Sequence, residues 1–106
     1  MTPKTLTMIR LKAKEGAEAQ LRDALTGAGD VIRSTEPLTL QWYGVDLGEG
    51  NFAIIDTFVG QEGRDAHFSG KVAALLHDNA DDLVEGGWDG VVGAIENAEI
   101  LSSNLG

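Results

Sequence analysis

The chain has 106 residues, no cysteine, and eight basic against seventeen acidic side chains for a formal net charge of −9. One domain, residues 1–106, fills this length, and a composition that is 42% hydrophobic and 24% charged is that of a soluble globular protein rather than a disordered or membrane-inserted one. So acidic a chain repels phosphate backbones and anionic lipid, which excludes nucleic acid and membrane as expected partners, and without cysteine it has no disulfide, thiolate nucleophile or cysteine-held zinc.

The opening stretch MTPKTLTMIRLKAK lacks the apolar core of a signal peptide, which points to a cytoplasmic protein. Within it, residues 5–13 predict a strand with Thr7, Ile9 and Leu11 on one face and Leu6, Met8 and Arg10 on the other. Residues 15–33 show helical spacing along Ala17, Leu21, Ala24, Leu25, Ala28, Val31 and Ile32, with Gly27 and Gly29 as points for a kink or break and Pro37 as the exit. Residues 38–47 and 51–58 predict two strands joined by Gly48-Glu49-Gly50, a connection of hairpin length. After a turn at residues 60–63, residues 64–84 predict one long helix whose buried stripe is Phe68, Val72, Leu75, Leu76, Ala80 and Leu83, with Gly70 bending its first turns. Residues 86–90 predict a loop, and a last strand falls around residues 98–102.

The resulting order, βαββαβ, is that of an α+β, ferredoxin-like domain in which an antiparallel sheet carries both helices on one face. Neither side of the predicted hairpin is purely polar, so the open face needs a cover. A second copy of the chain, its sheet closing on the first as a dimeric α/β barrel, would supply one.

Several segments resemble the antibiotic biosynthesis monooxygenase family of dimeric α/β barrels, which includes quinone-forming monooxygenases. They are the first strand leading to a helix behind Lys14-Glu15-Gly16, the hairpin LTLQWYGVDL and NFAIIDTF, the segment GRDAHFSGKVAALL, and the closing AIENAEIL. Most distinctive is a strand ending in an acid plus an aromatic, then a helix with Ala-His near its start: here Asp56, Phe58, Ala66 and His67. The family includes cofactor-free oxygenases, haem-degrading enzymes and isomerases. Haem-degrading relatives use an asparagine on the first strand, a tryptophan near the end of the third and a histidine on the second helix. Here only the histidine has a counterpart and Phe58 stands in place of the tryptophan, so haem chemistry is not expected and no cofactor is predicted.

The resemblance implies a cofactor-independent monooxygenase acting on a small aromatic or polyketide-like phenol. His67, with an ordinary pKa of about 6.5, is the candidate base. Asp56, an acid inside an apolar strand, either orients His67 or accepts a proton itself, or else is paired with Arg64 or Arg10. Tyr43 is a candidate hydrogen-bond donor to a substrate oxygen, and Trp42, Phe58 and Phe68 are candidate aromatic walls, each with core packing as the alternative. Trp88 is either a lid or a packing anchor. Two other functions stay open: a non-catalytic barrel that binds a small ligand, and an isomerase using the same proton transfer without oxygen. Gly48, Gly50 and Ala53 match a dinucleotide-binding spacing but connect two strands, and His77 with Asp81 lacks a third metal ligand.

Overall fold

In the computed structural model, which describes residues 2–105, the elements run β1 (Thr5–Lys12), α1 (Glu18–Thr35), β2 (Thr39–Gly48), β3 (Asn51–Phe58), α2 (Gln61–Phe68), α3 (Lys71–Leu83), α4 (Gly87–Gly93) and β4 (Ile95–Glu99). All strand pairs are antiparallel, in the order β2-β3-β1-β4. This is the ferredoxin-like plan. Alternation in β1 decides which side meets the helices: Thr7, Ile9 and Leu11 are buried, while Arg10 and Lys12 stay exposed. The core joins Ile9, Leu11, Phe52 and Ile54 of the sheet to Leu21 of α1, Ala80 of α3 and Val91 of α4.

The hairpin turn is as tight as its sequence requires. Glu49 and Gly50 both have positive φ, 56° and 79°, the conformation that matches the twist of the two strands. Helix α1 runs without interruption through Gly27 and Gly29, because Leu21, Ala28 and Ile32 hold it to the core on either side of them. It ends at Thr35, with the Glu36 N–H donating to the Ile32 carbonyl at 2.9 Å, and Pro37 cannot prolong it.

Two predicted elements differ. The single helix over residues 64–84 is two helices, separated at Ser69 and Gly70, and the first begins three residues earlier at Gln61. Tertiary contact explains the break: a Cβ on Gly70 would lie 2.6 Å from Glu36 Oε2, so the chain passes too close to Glu36 here for a residue larger than glycine. The predicted loop at residues 86–90 enters the short helix α4, and the last strand starts earlier than expected, at Ile95. Here Trp88 is a packing anchor. It packs against the main core, its ring lies 4.8 Å from that of His77, and its backbone N–H donates to Asp81 Oδ1 at 3.0 Å. His77 and Asp81 thus have local structural partners, and the described residues contain no group of three or more metal-ligating side chains. No helix among the described residues is long and apolar enough to cross a membrane.

Candidate functional site

Asp56 is the acid that β3 turns toward the helices. Its register partners are Thr7 on β1 and Trp42 on β2, so all three side chains lie on the helical face of the sheet. His67 comes to it from the last turn of α2, rather than from the start of a long helix, and its Nε2 lies 2.9 Å from Asp56 Oδ2. That contact is ionic, off the line of an aligned N–H bond. On the other side of the ring, Nδ1 is 2.6 Å from Oε1 of Glu36, the residue that caps the C-terminus of α1. Thr39 donates its hydroxyl to the same oxygen at 3.0 Å.

The result is an imidazole clasped between two carboxyl groups and closed to solvent, with His67 5%, Asp56 1% and Glu36 8% exposed. Burial works against the charged ring, but the Asp56 contact and then the Glu36 contact outweigh it and raise the His67 pKa above its ordinary 6.5. An imidazolium with an N–H toward each carboxyl group suits this geometry. Even so, Glu36 Oε2 and both Asp56 oxygens have no hydrogen bond from the protein, and neither has the indole N–H of Trp42.

Of the predicted site residues, the structure brings Asp56 and His67 together and sends Tyr43 elsewhere. Tyr43 pairs with Ile55 and lies on the open face of the sheet, 51% exposed, where its hydroxyl accepts from Gln41 Nε2 at 3.2 Å. It therefore cannot act on the same molecule as His67 within one protomer. Neither arginine serves Asp56: Arg10 is exposed on the open face, and Arg64 donates to Thr7 Oγ1 at 2.9 Å, to the Leu6 carbonyl at 3.2 Å and to Thr5 Oγ1. Phe58 is wholly buried, with its ring centroid 5.6 Å from that of His67; Phe68 flanks the same ring at 5.6 Å from an exposed position. Trp42 packs against Ala28, Ile32 and Val72. Glu36 is the residue that sequence reasoning missed. An acid beside a proline at a helix exit has every local feature of a solvated cap, and only the approach of α2 buries it.

An apolar space large enough for a ligand lies elsewhere. Between α1 and α3, above Ile54, is a cleft of about 330 Å³ walled by Leu21, Ala28, Val31, Val72 and Leu76, with Asn79 among its few polar residues. Its lining is overwhelmingly apolar. A larger groove of about 670 Å³ beside Lys4, Arg64 and Asn97 is shallow and open, so it encloses a ligand far less well despite its size.

No family model and no curated protein matches the sequence. Among solved structures, the NE2512 protein of unknown function from Nitrosomonas europaea is 33% identical, with 98% of this chain and 95% of that chain covered and a TM-score of 0.84. The chain belongs to the same family as that protein. It also has the antibiotic biosynthesis monooxygenase fold. A provisionally named antibiotic biosynthesis monooxygenase from Bacteroides thetaiotaomicron superposes with a TM-score of 0.73 over 98% of this chain and 95% of its own, at 15% identity. Another so named, from Chloroflexus aurantiacus, gives 0.69 over 95% and 96% at 13% identity. In the monooxygenase fold as this chain builds it, the imidazole near the third strand is present but walled in. Both of its nitrogens face carboxyl oxygens, which leaves no free lone pair for a haem iron.

Proposed function

We propose that this protein binds a small, largely apolar molecule in the cleft between α1 and α3. The observation that carries this reading is the cleft itself: a concave, apolar space of ligand size with few polar groups to orient its occupant. A hydroxylated anthrone-type compound is a suitable probe. It should bind with a measurable Kd by titration calorimetry, and Ala28→Trp, which fills the cleft from α1, should weaken it at least about tenfold while circular dichroism stays unchanged. Equal affinity in the variant would place the ligand elsewhere.

A second reading is supported by the provisional names of the fold neighbours: a cofactor-independent monooxygenase for a small aromatic or polyketide-like phenol. An apolar cleft suits that chemistry because it keeps water from a substrate anion while dioxygen reacts with it. His67 is then the candidate base, reaching substrate only if α2 moves, with Asp56 and Glu36 orienting it; Tyr43 has no part within the protomer. Product formed from the probe in air and none without oxygen favours this reading. Equal turnover without oxygen favours an isomerase, and binding without product leaves the ligand-binding reading.

The protein is further proposed to work as a homodimer. The open sheet face carries Leu6, Met8, Ile55 and Val45, all half-buried in the protomer, around Tyr43. Ile55 sits on a central strand between Met8 and Tyr43, so Ile55→Arg would bury a charge in the middle of a sheet-on-sheet contact. Sedimentation equilibrium is expected to show a dimer for the wild type and a monomer for this variant. A wild-type monomer would remove the barrel.

A further inference from the structure

Helix α2 is docked by polar contacts more than by apolar ones. Its buried residues are Gly63 and His67 alone, and Gly63 has no side chain to contribute. The neighbouring helices dock differently, α1 through Leu21, Ala28 and Ile32 and α3 through Val72 and Ala80. What holds α2 is the contact of His67 with Asp56 and Glu36, together with the Arg64 bonds to β1. At eight residues it is too short to persist as a helix once undocked.

We propose that α2 is a lid latched by the Glu36–His67–Asp56 clasp and released when His67 loses its proton. With the proton in place, an N–H faces a carboxyl oxygen on each side of the ring. The neutral ring has one N–H and no charge, so both carboxyl groups lose the positive charge that offsets their burial, in a space where three carboxyl oxygens already lack a hydrogen bond. Among the described residues no lysine or arginine is paired with either carboxyl group, and Arg33 of α1, which shares a surface groove with Glu36, is paired with Asp30. Glu36 faces His67 from the end of α1 and Asp56 from β3, while β1 and β2 bring no charge there, only the hydroxyls of Thr7 and Thr39 and the indole of Trp42 beside Asp56. Arg64 on α2 is committed to β1, Glu62 and Asp65 on α2 are acidic and exposed, and Lys71 of α3 is exposed beside Glu36 at a surface groove. Release uncovers Asp56, Glu36 and the buried Phe58, and so opens a polar chamber under residues 61–70. This device does not depend on what the cleft binds.

Amide hydrogen exchange of the intact protein across about pH 6 to 9, with the His67 ring followed by NMR in the same sample, tests the latch. Once the intrinsic pH dependence of exchange is removed, protection factors over residues 61–70 are expected to fall about tenfold per pH unit from the ordinary 6.5 up to the raised pKa of His67, and then level off. Amides in α3 should stay better protected than residues 61–70 at every pH, because releasing α2 takes less than global unfolding. Protection over residues 61–70 that stays flat while the ring titrates overturns the proposal, as does a ring that keeps its proton throughout. Protection over residues 61–70 equal to that of α3 at every pH means that α2 opens only with the whole domain, and overturns it too. Because the wild type carries the measurement, failure of a variant to fold cannot obscure it.

Discussion

Replacing His67 by alanine is expected to lower the unfolding free energy by about 3–5 kcal/mol near pH 6, the loss typical of removing one partner from a buried ion pair. The reason is the setting more than the strength of any one bond. Asp56 and Glu36 are both closed to solvent, and without the ring they remain buried with no positive partner. The pH dependence follows with a definite sign. Because the folded pKa of His67 is raised above the unfolded 6.5, the folded state binds the proton more tightly, so the stabilisation is full below 6.5 and is lost as pH rises through the raised value. Urea midpoints measured across this window should fall with rising pH in the wild type, and that slope should vanish in His67→Ala. A variant within about 1 kcal/mol of wild type near pH 6 would show that the clasp does not hold the fold.

Phe58→Ala is expected to cost about 3–5 kcal/mol as well, by a different route. Phe58 is the least exposed large side chain of the protein, on a central strand, with Thr5 and Thr39 as register partners and the His67 ring beside it. Truncation leaves a cavity beneath α2 that neither strand can collapse to fill. Since Phe58 does not line the cleft between α1 and α3, the affinity of the anthrone-type probe should stay within about twofold of wild type in the folded variant. A large change in affinity with little loss of stability would instead make Phe58 a ligand contact, as the sequence pattern alone allows.

These two residues show where sequence reasoning stopped. An acid and a histidine near the strand-to-helix connection are visible in FAIIDTFVGQEGRDAHF, and the structure does bring Asp56 and His67 within 2.9 Å. Whether such a pair faces a ligand or closes on itself depends on a third group. Glu36 is 31 residues away along the chain, and its burial follows from how the end of α1 meets α2. Tyr43 is the converse case. Strand alternation already separates it from Trp42, but which face receives the helices is set by the whole sheet.

The sequence by itself determined the first three strands, the hairpin and the ferredoxin-like plan, because alternation of apolar residues and a glycine-bearing turn are short-range features that each segment carries alone. Periodicity also placed α1 and the buried Val72 and Ala80 of α3, whereas Leu75 and Phe68 of the same predicted stripe are exposed. Tertiary structure decided the break at Gly70, the helix where residues 86–90 read as a loop, and the partners of His67. In each case contact with a distant segment outweighs local preference: the close approach of Glu36 leaves room only for glycine, and burial of Val91 fixes α4 against the core. Tertiary structure likewise buries the His67 ring between two carboxyl groups and forms a separate apolar cleft from α1, α3 and β3.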